Sequence, residues 1–282
     1  MERCIICKSG KRKKVFEENG VIFYRCLDCG HAYSSFRQDQ DYDGYFGYEP
    51  IESDSFWFKE AHKEMYEDFG RLFLEKRRGR LLDVGCGMGY FLKFMEKYPE
   101  WEAFGCEISG SAADFAVNKL GIKNVKNGKL EEAGFTEGSF DLITLFDVIE
   151  HIPEPDSMIN MAWNLLRDGG SVFIHTPNID IQLPKARFKK WVFGMREDAR
   201  YLEAKDHVNI YSKKSMGILL DKHGFKSIRF YHLKPIQSVA GEKGWIGLFV
   251  KNIWHRLSLF LDLSTGGRLN IDNLFVAAKK AG

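Results

Sequence analysis

Leu81-Leu82-Asp83-Val84-Gly85-Cys86-Gly87-Met88-Gly89 is an apolar run ending in an acid, followed by three glycines at alternate positions. Phe91, Leu92, Phe94 and Met95 follow at helical spacing. The pattern predicts a buried strand that turns sharply over a ligand and runs into a helix. Glycines suit such a turn because a side chain would block the approach of backbone to a nucleotide-like group. A pyrophosphate fingerprint spaces its glycines G-x-G-x-x-G, which seats the phosphates on a helix N-terminus. Here the order is D-x-G-x-G-x-G. An acid placed two residues ahead of the first glycine repels a pyrophosphate and attracts a cation.

Working outward, Trp101-Glu102-Ala103-Phe104-Gly105-Cys106-Glu107 predicts a second strand closing on an acid, eighteen residues after Gly89. A carboxylate there suits a ribose diol, since it can accept two hydroxyl hydrogen bonds. Gly138 to Pro153 predicts a turn, a buried strand and a loop that includes Phe146, Asp147, Glu150 and His151. Leu165 to Gly170 predicts a helix end, and Ser171 to Asn178 a further strand. In order, spacing and residue type this succession resembles class I methyltransferases that use S-adenosylmethionine. The likeness runs from about Gly79 to Asn178.

The resemblance implies an α/β fold with a Rossmann-like seven-stranded methyltransferase sheet. It also implies cofactor contacts from Asp83, Gly85, Cys86, Gly87 and Gly89 at the methionine end, Glu107 at the ribose, Leu130 in the adenine segment and Phe146 at the end of the fourth strand. The family often carries an acid at the adenine position. Gly128-Lys129-Leu130 stands there in this chain, and Lys129 cannot accept a bond from the adenine amino group, which leaves a backbone contact or Glu131 as the substitute. Methyl transfer to a hydroxyl needs a positioned acceptor and a base. His151, beside the expected methyl group, and His207, where substrate should arrive, are equal candidates for that base. Glu150-His151-Ile152-Pro153 recurs across family members of varied chemistry, so a structural role for His151 stays open. His175 is expected to be a packed core residue inside its strand.

At the N-terminus, Cys4-Ile5-Ile6-Cys7 and Cys26-Leu27-Asp28-Cys29 are separated by eighteen residues. That spacing predicts a zinc ribbon in which Cys4, Cys7, Cys26 and Cys29 hold a structural Zn²⁺. Fewer than about forty residues bury too little apolar surface to fold without such a staple. Lys8, Lys11, Arg12, Lys13 and Lys14 form either a solvated loop or a nucleic-acid contact, and the solvated loop is favoured.

Composition narrows the class. With 44% hydrophobic residues in 282, a substantial core is available, and a net charge of only +2 weighs against a nucleic-acid partner. Six cysteines arranged mainly as C-x-x-C pairs, with no export signal in view, point to metal binding in a cytoplasmic protein. No uncharged apolar run reaches the length of a membrane span. The expected organisation is a ribbon at 1–33, a helical linker or lid at 34–78, with Tyr45 and Phe46 as lid candidates, and a methyltransferase domain at 79–282. Within that domain, 179–211 interleaves basic residues (Lys185, Arg187, Lys189, Lys190, Arg196, Arg200) with aromatics. It suits either an anion grip or an amphipathic lid helix. Ser212 is expected to cap the helix that follows.

Residues 245–263 form an apolar arc wider than docking on one sheet requires. Burial is the default there. A peripheral membrane contact on the inner face, cover for an oily substrate, and a dimer interface are the alternatives. A zinc ribbon followed by this pattern resembles proteins of bacterial sugar and surface-polysaccharide modification. The expected substrate is therefore a small molecule or glycan, methylated on a hydroxyl of a saccharide or glycan precursor. RNA base methylation and a non-catalytic, cofactor-binding interaction module are the alternatives.

Overall fold

The computed structural model of the chain describes residues 3–36, 60–197, 199–234, 236, 253, 256–261, 263–265 and 272–282. Strands β1 (Arg12–Glu18), β2 (Val21–Cys26) and β3 (Ala32–Ser34) precede helix α1 (Lys63–Phe69) and a π-helical turn, Gly70–Leu74. Then come β4 (Gly79–Val84), α2 (Tyr90–Met95), β5 (Trp101–Glu107), α3 (Gly110–Asn118), β6 (Val125–Asn127) and β7 (Phe140–Phe146). They are followed by α4 (Pro155–Leu165), β8 (Leu166–Thr176), α5 (Ile179–Phe193), β9 (Asn209–Ile210), α6 (Lys213–Lys222), β10 (Phe225–Tyr231) and β11 (Leu274–Lys280).

The main sheet has the order β10-β11-β8-β7-β4-β5-β6. β4 lies parallel to both β5 and β7, and β11 runs antiparallel to both its neighbours. This is the Rossmann-like α/β sheet of seven strands that the sequence predicts. The chain leaves β4 in one direction for β5 and β6 and in the other for β7 and β8. That reversal opens a crevice at the carboxyl ends of the strands.

Adjacent residues on each central strand enter opposite cores. Leu81, Leu142, Phe173 and Phe275 face α1, the π-helical turn and α2, and pack with Met65, Phe69, Phe73 and Phe91. Leu82, Ile143, Ile174 and Val276 face α4 and α6 on the other side, with Ile159, Ala162, Met216 and Leu219. A period of two with both faces buried explains why these strands read as continuous apolar runs. Much of the chain's phenylalanine sits in the first of these cores, where Phe69 meets Phe73, Phe91, Phe146 and Phe173 with ring centroids 4.8 to 5.6 Å apart.

Two boundaries differ from expectation. β8 starts at Leu166, inside the predicted helix end, because Leu166 pairs with Phe140 before a bulge carries Ser171 to Leu142. The turn at Gly169, φ +73°, falls within that bulge. The final strand, expected from Leu269, is observed over Leu274–Lys280, and 266–271 lie outside the described residues.

The N-terminal unit is an integral part of the fold. β3 pairs with β9, so a second sheet, β1-β2-β3-β9, joins the chain's start to the segment leading into α6. Val15, Phe16 and Phe23 of this sheet pack on Ile179, Leu183 and Ala186, one stripe of α5 at helical spacing. The segment expected as a ribbon at 1–33 thus shares a core with α5, which offsets how little apolar surface so short a stretch can bury alone. The basic insertion is helical over Ile179–Phe193, and two of its cations serve this contact. Arg187 Nη2 donates to the Val15 carbonyl at 3.2 Å and Lys190 Nζ to the Glu17 carbonyl at 3.3 Å. Ser212 caps α6 as expected, with a reciprocal bond to Ser215.

The lid candidates Tyr45 and Phe46 lie outside the described residues, as does much of 245–263. In the described part of that arc Ser258 is buried, while Leu257, Phe260 and Leu263 are exposed against the default of burial. An apolar arc that wide cannot all dock on one surface. No helix among the described residues is long and apolar enough to cross a membrane.

One acid locks the insertion to the N-terminal sheet. Glu18, buried at the end of β1, accepts from the backbone N–H groups of Tyr201, Leu202 and Ala204 at 2.6, 2.8 and 2.9 Å. Removing the carboxylate orphans buried donors, each worth about 1–3 kcal/mol. Glu18→Ala should lower the unfolding free energy by about 3 kcal/mol, measured by urea denaturation. Unchanged stability would mean that 199–204 is held by other contacts.

Candidate functional site

A cleft of about 800 Å³ opens where the strand order reverses, at the carboxyl ends of β4, β5 and β7. Its floor is the glycine loop. Gly85, Gly87 and Gly89 all have positive φ (+69°, +51° and +82°), a conformation that other residues adopt only with strain. A Cβ on Gly85 would stand 2.5 Å from Val148 Cγ2, and one on Gly89 2.8 Å from the Ala116 methyl. At these two positions glycine makes room for the protein's own neighbours, in addition to any ligand.

Asp83 is buried at the head of the loop and accepts from Thr144 Oγ1 at 2.7 Å. Burial pushes its carboxyl up to about 8, against the opposing hydrogen bond from Thr144. Glu107, buried at the end of β5, grips the loop: Oε2 accepts from Gly87 N–H and Oε1 from Ser109 N–H, both at 2.8 Å. Cys86, Lys129, Leu130, Glu131 and Phe146 line the same cleft, so the sequence-predicted cofactor residues are neighbours in space.

The opposite wall carries groups that sequence reasoning passed over. Asp147, directly after β7, holds the left-handed conformation at φ +53°. Its Oδ1 lies 3.0 Å from His175 Nδ1 and its Oδ2 lies 4.0 Å from His62 Nε2. Burial opposes the Asp147 charge, but the facing imidazoles, His175 foremost with His62 and His207 adding to it, prevail and hold its carboxyl below the ordinary range. His175 is fully buried against Phe275, as the sequence predicts, and is at the same time this acid's partner. Glu150 lies beneath the wall, fully buried. Burial and the Asp147 charge push its carboxyl well up, while Thr176 Oγ1 donates to Oε2 at 2.9 Å.

His151 and His207, expected as alternatives, meet here, with ring centroids 5.0 Å apart at 69°. His151 Nδ1 is 3.0 Å from the Asp206 carbonyl. Burial holds each imidazole down at about 4, with the neighbouring ring adding to the effect at His151, so both are neutral near pH 7. Arg200 pairs with Asp206 and, at 3.3 Å, with Glu203. His62 and Tyr66 enter from α1, four residues apart on one face. The signal for the missed acids was present: Asp147 and Glu150, three residues apart, share the loop after β7 with His151.

At the N-terminus, Cys4 Sγ and Cys29 Sγ are 3.6 Å apart and Cys7 Sγ and Cys26 Sγ 3.5 Å. All four are free thiols close enough to share one ion, an arrangement that fits a small zinc ribbon.

A family model described as a methyltransferase domain matches residues 57–229. Among curated relatives, an uncharacterized protein of Methanocaldococcus jannaschii is 28% identical over 208 residues, covering 70% of this chain and 94% of that protein. A ubiquinone biosynthesis O-methyltransferase of Nitrosococcus oceani is 31% identical over 147 residues, covering 46% of this chain and 58% of that protein. The chain thus spans about half the length of the ubiquinone enzymes it matches. Phosphoethanolamine N-methyltransferase 2 of Haemonchus contortus, solved with S-adenosyl-L-methionine, has the same fold with a TM-score of 0.53 at 17% identity, covering 82% of this chain and 58% of that one. A SAM-dependent methyltransferase of Archaeoglobus fulgidus gives a TM-score of 0.52 at 15% identity, covering 86% of this chain and all (100%) of that one.

The loop packing sets a test of its own. Gly85→Ala carries about 1–2 kcal/mol of left-handed backbone strain plus the contact with Val148. In a Val148→Ala background the contact disappears and the strain remains. The double-mutant cycle, read from urea unfolding, should therefore show a coupling; strict additivity would mean that the loop moves away from Val148.

Proposed function

The chain belongs to the methyltransferase-domain family, and from that premise we propose that it binds S-adenosylmethionine in the cleft and methylates a hydroxyl oxygen of a small molecule. One observation carries this reading: a buried acid, Asp83, sits at the head of the glycine loop while a second, Glu107, closes the neighbouring strand in the same cleft. The bound cofactor supplies an activated methyl group on a cationic sulfur. Asp83 is suited to its ammonium group, Glu107 to the ribose, and Lys129, Leu130 and Glu131 stand in the adenine segment. At the far end, Asp147, Glu203, Asp206, His151 and His207 line the wall where an acceptor would sit. Carboxylates accept hydroxyl hydrogen bonds, and neutral imidazoles handle the proton that a hydroxyl must lose.

The acceptor is read as a hydroxyl of a saccharide or glycan precursor. The acid-rich acceptor wall supports it, as does the likeness of ribbon-plus-domain proteins to sugar-modifying ones. Polyanionic RNA is the weaker alternative. Lys129 and Arg200 are the lysines and arginines among the described cleft-lining residues, and Arg200 is already paired with Asp206 and Glu203. The four cysteines are read as a closed Zn²⁺ site with a folding role. Zn–S bonds of about 2.3 Å in a tetrahedron put sulfurs about 3.8 Å apart, close to the separations observed.

The Asp83 carboxyl gives the test its pH dependence. With a value raised to about 8, Asp83 is protonated at neutral pH in the empty cleft and must lose that proton to pair with an ammonium. Affinity for S-adenosylmethionine should therefore rise from pH 6 toward pH 8, by up to about tenfold per unit. Above about pH 8 the ligand's own α-amino group loses its charge and affinity should fall again. Isothermal titration across that range should give a bell, and Asp83→Asn should weaken binding and remove the acidic limb. No binding by folded wild-type protein at any pH would sink the reading.

A further inference from the structure

At and beneath the acceptor wall lies a second group of metal-ligating side chains. One carboxylate oxygen of Glu150 and one ring nitrogen each of His151 and His207 lie within 4.8 Å of one another. Glu150 sits below the surface of the cleft, and the two imidazoles form part of its wall.

Two details of bonding give this cluster direction. The His151 Nδ1 faces the Asp206 carbonyl at 3.0 Å. A carbonyl only accepts, so Nδ1 carries the hydrogen and Nε2 keeps its lone pair, the tautomer that a backbone partner imposes on metal-binding histidines. Glu150 Oε2 is satisfied by Thr176, but Oε1, fully buried, has no hydrogen-bond partner among the described residues. A buried carboxyl oxygen without a hydrogen-bond partner is costly, and a cation beside it removes that cost.

The supporting frame is already built. The Glu150 carbonyl accepts from Asn209 N–H at 3.0 Å, His151 N–H donates to the Val148 carbonyl at 3.0 Å, and Asn209 Nδ2 donates to the Ile152 carbonyl at 2.6 Å. The two segments that bear the ligands are thereby tied to each other before any ion arrives, which is what precise coordination requires. Asp147 is engaged elsewhere, by His175 and His62.

We propose that Glu150, His151 and His207 bind one divalent first-row transition-metal ion at the acceptor end of the cleft. Two imidazole nitrogens and one carboxylate oxygen favour Mn²⁺, Fe²⁺, Co²⁺ or Zn²⁺ over the all-oxygen preferences of Mg²⁺ and Ca²⁺. The set is distinct from the all-sulfur site at the N-terminus. Bonds of about 2.0–2.2 Å draw the three groups closer than they stand without the ion. His151 and His207 line the cleft, so an ion held by them would be within reach of an acceptor there. Resting on the methyl-transfer reading, the ion's task is to hold an acceptor oxygen and lower its pKa, its proton passing to water. The acceptor class this selects carries a second oxygen next to the methylated one, as a vicinal diol does, so that both can reach the ion. With the ion bound, His151 and His207 act as ligands, and this replaces the free-base role they have in the ion-free reading.

The test uses the full chain with its cysteine site loaded with Zn²⁺, titrated with Mn²⁺ and followed by the paramagnetic resonance of the free ion. One Mn²⁺ should bind per chain, and pulsed spectra of the bound ion should show couplings to imidazole nitrogen. His207→Ala and Glu150→Gln should each weaken binding by at least about tenfold. No Mn²⁺ uptake by wild-type protein at millimolar ion, bound ion with oxygen ligands alone, or folded variants that bind as tightly as wild type would each overturn the proposal. The nitrogen couplings are read on wild-type protein, so they decide the matter even if a variant fails to fold. S-adenosylmethionine binding is measured separately by calorimetry, so failure of the cofactor reading and failure of the metal site are distinguishable.

Discussion

A single buried amide, Asn209, joins three parts of the chain, and the positions of the cleft wall and the cysteine unit both depend on it. Its backbone N–H donates to the Glu150 carbonyl and its Nδ2 to the Ile152 carbonyl, which fixes the turn after β7. Its Oδ1 lies 3.2 Å from His31 Nε2, and its backbone pairs with Tyr33 in β3. A polar group buried this deeply is stable only when its partners are present together. The turn, the return strand and the N-terminal sheet are therefore satisfied jointly. The same logic recurs one turn later: Ser212 Oγ, at the cap of α6, donates to the Cys29 carbonyl at 3.1 Å. The cysteine unit thus reaches the cleft mechanically, through Asn209, without lining it.

On the other side of the cleft, one carboxylate has a comparable position. Glu107 bonds the middle of the glycine loop and the start of α3, so β5, the loop and the helix keep a fixed relation. Three successive positive-φ glycines would otherwise leave the loop with more conformational freedom than any other stretch of β4–α2. The loop is rigid because an acid holds its centre and Val148 and Ala116 press on its two ends. Glu107 thus sets the shape of the floor of the cleft.

What the sequence made legible follows from the range of each signal. β5 is observed over Trp101–Glu107, the predicted bounds, since its apolar run and terminal acid are local. The seven-stranded sheet and the capped helix at Ser212 were likewise visible, because apolar periodicity and capping act within a few residues. The pairing of β3 with β9 was not, since it joins residues nearly 180 positions apart through a two-residue strand with no periodicity of its own. His151 and His207 were each singled out, but their meeting was hidden for the same reason. The basic faces of α5 looked equally like an anion grip and a solvated helix. The placement of Val15 and Glu17 beneath Arg187 and Lys190 gives two of these cations a use that neither reading contained.

The acids of the cleft show how neighbours, more than residue type, set charge. Asp83 and Asp147 both follow apolar strands and both stand at the crevice, yet burial raises one while the facing imidazoles hold the other low. Near pH 7 the empty cleft therefore carries a firm charge at Asp147 and a neutral carboxyl at Asp83. A group poised in this way gains its charge when a cation arrives, because the cation supplies the stabilisation that water gives an exposed carboxylate. The charge at Asp83 is thus conditional on a cationic neighbour, whereas the charge at Asp147 is standing. Such an arrangement avoids the standing cost of several unpaired buried charges while keeping the attraction for the moment of binding. It also explains why an acid can precede the glycine loop at all, at a place where permanent ionisation in a dry strand end would be prohibitive.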